Sequence, residues 1–185
     1  VETVVAIIAA RGVVAWHQGR TEFGPRALGA RSILADPRDD AIRKDINAKI
    51  KKRELFRPFA PSTTAEACGD FFEIAQASPY MNILAAVRPE KRAVIPAVTH
   101  VDGTARVHTV SRAANPLYHR LITAFGARTG VPVLLNTSFN IQEPIVNTPR
   151  EAIRTFLASD MDLLAIGGFV CDRAWRTAAD DIEAA

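Results

Sequence analysis

The chain has 185 residues, 48% of them hydrophobic and 23% charged, with a formal net charge of +3. These figures suit one domain with a buried core and exclude a disordered chain, and the lack of any run of 18 apolar residues excludes a transmembrane helix. Cys68 and Cys171 are too few for a disulfide framework and point to a reducing, cytoplasmic setting, while a start at Val1 with neither Met nor a basic leader suggests a piece of something longer.

In chain order the pattern reads as mixed α/β. Glu2 to Arg11 is apolar and Ala-rich and predicts a helix that Gly12 stops. Val13 to Trp16 predicts a short buried strand. Gly19 to Gly29, with three glycines and Pro25, reads as an ordered loop. Ser32 to Ala35 predicts another strand, after which Asp36-Pro37 offers a helix cap with proline at the first helical position. Ile42, Ile46 and Ile50 then form the buried stripe of that helix, with Lys44, Asn47 and Lys51 on its opposite side, solvated or facing a ligand. Arg57 to Pro61 is too proline-rich for a helix and reads as extended, and Ala65 to Phe72 reads as helical.

Asp102-Gly103, flanked by alternating residues, predicts a two-residue hairpin turn within Ile95 to Val110. In that hairpin Thr99 faces Arg106 and Val98 faces Val107. His100 is then a partly buried histidine on the valine face, and His108 the more exposed one on the Arg106 side. Pro116 to Gly126 predicts an amphipathic helix and Val131 to Leu135 a buried strand, followed by the polar loop Asn136 to Asn140. Thr148-Pro149-Arg150-Glu151 is a capping box opening a helix to about Ser159. Leu163 to Ile166 and Phe169 to Cys171 read as one strand interrupted by Gly167-Gly168, with Cys171 in the core. The tail 173–185 is Ala-rich and acidic.

Charge is unevenly placed. Residues 20–57 carry eleven Lys and Arg against six Asp and Glu, a local excess of +5 that leaves −2 for the rest. Arginine outnumbers lysine 18 to 5, and its planar fork suits phosphate or carboxylate. Arg26 and Arg31 sit in a segment with glycines at both ends, Lys51 to Arg57 adds cations, and Asn136-Thr137-Ser138-Phe139-Asn140 adds hydroxyls and amides. The four histidines show no metal-ligand spacing and no Gly-Lys-Ser/Thr loop occurs. From residue types alone this is an anion or nucleotide site or a solvated basic surface.

The run Gly19 to Gly29 followed by Arg31-Ser32-Ile33-Leu34 resembles the signature of O-carbamoyltransferases of nodulation-factor and antibiotic tailoring. Phe56-Arg57-Pro58-Phe59-Ala60-Pro61, His100 to Val107, Thr129 to Asn140 and Glu143-Pro144-Ile145-Val146 continue it, from about residue 11 to 172. The chain departs from the family pattern at Ala30, at His108 (usually Gln) and in a 140–143 loop one glycine shorter. The resemblance implies a YrdC/Sua5-like α/β fold over 1–172, a twisted mixed β-sheet with flanking helices, of which 160–172 returns toward an N-terminal Kae1-like part outside this chain. It implies that the present part takes carbamoyl phosphate and ATP, with Mg²⁺, and makes a carbamoyl-adenylate. An iron-type metal and transfer to a hydroxyl acceptor would belong to the other part.

Carried over residue by residue, Lys51 and Arg106 are the catalytic candidates. Arg26, Arg31, Arg57, His100, Asn136, Thr137, Ser138 and Asn140 are the binding candidates. A basic RNA-binding module without catalysis is the reading from another class, and steep salt dependence would mark it.

Overall fold

The computed structural model describes residues 1–172, so the tail expectation for 173–185 lies outside the described residues. Among the described residues nine strands form one mixed sheet in the order β4-β5-β6-β3-β7-β2-β1-β8-β9. They are β1 Val14–His17, β2 Arg31–Ala35, β3 Ala60–Thr64, β4 Phe72–Glu73, β5 Ile83–Val87, β6 Thr104–Val110, β7 Val133–Ser138, β8 Leu163–Ile166 and β9 Phe169–Asp172. Five α-helices flank it: α1 Glu2–Ala9, α2 Asp40–Asp45, α3 Cys68–Phe71, α4 Pro116–Thr129 and α5 Pro149–Leu157. Among the described residues no helix is long and apolar enough to cross a membrane.

The central strands β1, β2 and β3 are buried on both faces, which explains why such strands read as apolar runs. Alternate residues of β1, β2 and β7 go to opposite sides, as the pleat requires. Ala15, Ile33, Ala35, Val133 and Leu135 pack with Ile42, Ile46, Ala152 and Phe156, so α2 and α5 cover one face. Val14, Trp16, Leu34 and Leu134 pack with Val4, Ile8, Tyr118, Leu121 and Phe125, so α1 and α4 cover the other. Burying a side chain such as Phe125 or Ile8 contributes about 1.5–3 kcal/mol.

Several sequence expectations need correction. The helix after β2 is capped by Asp39, whose side chain accepts from Ala41 N, not by Asp36. Asp36 is buried and instead binds Arg38 through its backbone N–H and its guanidinium. Past Asp45 the helix widens into a π turn over Ile46–Ile50. That wider turn keeps the isoleucines buried at four-residue spacing. It also carries Asn47 and Lys51 indoors, to 0% and 3% exposure, while Lys44 stays out. Between Ala65 and Phe72 only Cys68–Phe71 is helical.

The Asp102-Gly103 hairpin does not form. Pro96–Val98 is a 3₁₀ turn, and β6 pairs with β5, a strand that was not anticipated, so Arg106 lies opposite Leu84. Gly103 N–H donates to His100 O, and Asp102 Oδ1 accepts from Thr104 N, which closes a tight turn without a second strand. His108 is buried at 4% exposure, not exposed. Asn136, Thr137 and Ser138 belong to β7 and are not in a loop. Gly167-Gly168 turns a hairpin between β8 and β9, with Ile166 opposite Phe169, and does not merely interrupt one strand. Cys171 is only partly buried, packed at the edge of the core. At the end of α1, Arg11 and not Gly12 takes the left-handed conformation (φ 70°), and Gly12 N–H donates to Ile7 O.

One feature of the topology opens a site. β6 pairs antiparallel with β5 through Ile83↔Val107 to Ala86↔Thr104, but parallel with β3 only from Ser62↔His108 onward. Pro61 has no N–H to give and stands just before that pairing begins. Upstream of it, Pro58-Phe59-Ala60 and Thr104-Ala105-Arg106 diverge, and the fork between them is a cavity.

Candidate functional site

The cavity has a volume of about 530 Å³. One wall is Pro58, Phe59 and Ala60, and the other is Thr104 and Arg106. Asn136, Thr137 and Ser138 from the end of β7 form the floor, and Pro25-Arg26-Ala27 comes over from the glycine-rich segment. Arg53, Arg57 and His100 also border it. The opening therefore faces four arginines, and among its described lining residues the one carboxylate is Asp102. That group already accepts from Thr104 N and Oγ1.

The segment 19–31 is ordered by a single carboxylate. Glu22 Oε1 accepts from Leu28 N at 2.9 Å, Ala30 N at 2.6 Å and Arg31 N at 3.3 Å. Gly29 adopts φ +95° and lies against Tyr118, where an added Cβ would meet the ring at 2.2 Å, so only glycine lets the loop seat here. The result holds Arg26, itself exposed, at the mouth, close enough to Arg106 for their charges to repel.

Arg106 is half-buried, and burial ahead of Arg26 pulls its pKa down. Among the described residues its Nε is buried with no hydrogen-bond partner, as is Asn136 Oδ1. Buried polar atoms are nearly always paired, and of the three such orphans among the described residues two, Arg106 Nε and Asn136 Oδ1, belong to residues lining the cationic cavity, while the third is the Tyr118 hydroxyl.

Lys51 lies behind Ser138 rather than on the cavity surface. Its Nζ donates to Ser138 O at 2.6 Å and Asn140 Oδ1 at 2.6 Å, and also to Asn140 O and Ser138 Oγ. Burial first, then Arg53 and Arg57, bring its pKa down to about 7 against the pull of Glu143. Asn140 therefore reaches the site through Lys51 and through Ser138 Oγ at 2.8 Å. The Glu143 carboxyl is held below its usual range by bonds that include Thr155 Oγ1, although burial opposes this.

Of the ten residues expected from sequence, seven line the cavity: Arg26, Arg57, His100, Arg106, Asn136, Thr137 and Ser138. Lys51 and Asn140 back it. Arg31 is elsewhere: its guanidinium donates to the carbonyls of Asn147, Gln18, Ala30 and Gly19 at 2.9–3.1 Å. Arg53, counted among the cations of Lys51 to Arg57 but not carried into the candidate list, lies over the Phe59 ring at 4.9 Å and donates to Asn47 Oδ1 at 2.7 Å. The signal available was its place two residues after Lys51, beyond the π turn. Sequence reasoning passed over Thr104, Met81 and Asn82, the last two because the segment before β5 read as nothing. Among the described residues no group of three His, Cys, Asp or Glu is placed to hold a metal ion.

Residues 5–173 match the family model described as "Carbamoyltransferase C-terminus". The nodulation protein NolNO of Sinorhizobium fredii is 53% identical over 178 residues, which is 94% of this chain and 26% of that protein. The 3'-hydroxymethylcephem-O-carbamoyltransferase of Amycolatopsis lactamdurans is 49% identical over 133 residues, 72% of this chain and 25% of that protein. The chain thus spans about a quarter of the length of these curated relatives. Among solved structures, P. abyssi Sua5 complexed with L-threonine superposes with a TM-score of 0.65 at 15% identity, covering 90% of this chain and 46% of that one. Full-length HypF in its phosphate- and nucleotide-bound form gives 0.58 at 16% identity, covering 89% and 20%. The fold is the YrdC-like α/β fold that the sequence implied.

Proposed function

The chain belongs to the carbamoyltransferase C-terminus family, and on that footing we propose that its cavity takes carbamoyl phosphate and ATP and forms a carbamoyl-adenylate. The observation that carries this reading is the convergence of Arg26, Arg53, Arg57 and Arg106 on one cavity, with a buried Arg106 N–H left unpaired. In this reading Arg26 and Arg106 neutralise phosphate oxygens. Water cleaves the P–O bond of carbamoyl phosphate to give carbamate and inorganic phosphate, and a carbamate oxygen then attacks the α-phosphorus of ATP and expels pyrophosphate. Lys51, fixed by Ser138 and Asn140, stabilises through the floor the charge that develops there. Thr137 and Ser138 supply neutral hydroxyls beside it.

Mg²⁺ supplies charge neutralisation when ATP is bound. Asp102 alone on the wall suits an ion carried in by the nucleotide's phosphates rather than one caged by protein. In this reading an iron-type metal belongs to an N-terminal Kae1-like part, where the carbamoyl group passes to a hydroxyl acceptor. The free thiols of Cys68 and Cys171 fit a cytoplasmic setting.

Calorimetry of the 185-residue chain with ATP and with carbamoyl phosphate tests the reading, on wild type and on Arg106→Ala. Loss of one charge-assisted phosphate bond is expected to cost about 1.5–3 kcal/mol, roughly 10- to 100-fold in affinity. Equal binding by the two proteins removes Arg106 from the site. Binding of an RNA oligonucleotide that collapses with salt, with none of ATP, supports the nucleic-acid reading instead.

A further inference from the structure

The floor of the cavity continues into a chain of buried polar side chains that the reaction proposed above leaves unused. Asn136 Nδ2 donates to Ala27 O at 2.9 Å and to Ser62 Oγ at 2.9 Å. A backbone carbonyl only accepts, so the amide nitrogen and not the amide oxygen must face Ala27. Ser62 Oγ, occupied as acceptor by Asn136, has its own proton left to give, and His108 Nδ1 stands 2.8 Å away. The His108 ring is buried and stacks on Tyr118 with centroids 6.2 Å apart. Burial lowers its pKa to about 4, so at neutral pH it is uncharged and has a nitrogen that can accept.

With the Nδ1 of His108 as its accepting nitrogen, the hydrogen bonds run in one direction, from Asn136 to Ser62 to His108, while the buried Tyr118 hydroxyl, which also lies against Ser62, is the other acceptor open to the Ser62 proton. Both amide protons of Asn136 are spent on the protein. Its Oδ1 is the group left over, buried and without a partner among the described residues. Across the same cavity the arginines supply donors only. A ligand held there by its phosphate would present its other end to an acceptor.

We propose that Ser62 and His108 are positioning residues that lock the Asn136 amide with its oxygen toward the ligand, so that the site selects an acyl phosphate carrying an N–H donor. The inference rests on the reading that the cavity takes carbamoyl phosphate. It adds the means by which the carbamoyl end is told from an isosteric acyl end. Acetyl phosphate replaces NH₂ by CH₃ at nearly the same volume and leaves Oδ1 unpaired, and a site built around a hydrogen bond rejects an analogue that lacks it.

The test is calorimetry with carbamoyl phosphate, acetyl phosphate and inorganic phosphate on the 185-residue chain. Wild type is compared with Ser62→Ala, His108→Leu and His108→Gln. Wild type is expected to prefer carbamoyl over acetyl phosphate by about tenfold or more. His108→Leu strands the Ser62 proton, which then turns to Asn136 and competes for its oxygen. Ser62→Ala removes one of the two acceptors that hold the amide and leaves Ala27 O as the other. Both should narrow the preference to about threefold or less while inorganic phosphate, held by the arginines, binds within about twofold of wild type. His108→Gln keeps an acceptor for Ser62 and should restore the preference.

A preference that survives both Ser62→Ala and His108→Leu overturns the positioning role. So does a wild type that binds all three phosphates equally. A wild type that binds no phosphate at all removes the cavity reading itself, a different outcome from either.

Discussion

Arg31 and Arg106 are the same residue type on strands of one sheet, and they meet opposite surroundings. Around Arg31 four carbonyls of the 18–30 segment and of Asn147 converge, and every nitrogen of the guanidinium has an acceptor. Around Arg106 there is another arginine, a cavity and a buried Nε with no acceptor among the described residues. Arginine outlines a site only where the protein withholds acceptors from it. Where the backbone supplies them, the same side chain is a strut. The difference is made by the fork between β3 and β6, which keeps backbone carbonyls away from Arg106, and by the turn at Gly19, which brings them to Arg31.

The largest expected effect breaks the strut. Arg31→Ala leaves four carbonyls without their donor in a buried place, and about 1 kcal/mol for each points to a loss of about 3–5 kcal/mol. Thermal unfolding should fall by roughly 10 °C for a domain of this length. A drop within about 2 °C would show that water replaces the guanidinium freely and that the two arginines differ less than their surroundings do.

This contrast also marks where sequence reasoning stops. The Arg26 to Arg31 spacing between glycines is legible, and it correctly brings Arg26 to the cavity. Nothing in the string tells that Arg31, five residues on, turns to Asn147, because that carbonyl arrives from 116 residues away. The short apolar run of β1 and the capping box of α5 are local and were readable. β5 was not, since Ile83 to Val87 pairs with β6 through contacts that no local turn announces. Asp102-Gly103 misled for the same reason: its Asx turn is satisfied by Thr104, so the turn signal was genuine while the partner strand was another one. Lys51 and Asn47 were placed opposite the isoleucine stripe, solvated or facing a ligand, by a 3.6-residue period, and the π turn at Ile46–Ile50 buries both instead.

A smaller effect sharpens the comparison at His108, where surroundings decide not the role of a charge but whether it exists. Burial lowers the folded pKa from 6.5 to about 4. Between those values the unfolded chain binds a proton that the folded chain refuses, so stability is lost as pH falls from about 6.5 toward 4. Over the 1.5 pH units above pH 5 the loss attributable to this group is about 2 kcal/mol. Denaturant unfolding at pH 7 and pH 5 should show that loss in wild type and a clearly smaller one in His108→Gln, with Lys51, His17 and His100 supplying the remainder in both. Equal losses in the two proteins would place the titrating group elsewhere.

The smallest expected change in stability is at Arg106 itself. Arg106→Ala removes a desolvated guanidinium and its repulsion with Arg26, while giving up the contacts of its stem along the cavity wall. These terms oppose each other and no backbone acceptor is abandoned. The melting temperature should therefore stay within about 3 °C of wild type or rise, which is about 1 kcal/mol for a domain of this size. Set beside the 10- to 100-fold loss of phosphate affinity expected from the same substitution, that result separates binding from folding at one residue. A fall comparable to that of Arg31→Ala would mean that Arg106 braces the β5–β6 side of the fork. The unpaired Nε would then be a cost of the fold and not the mark of a ligand.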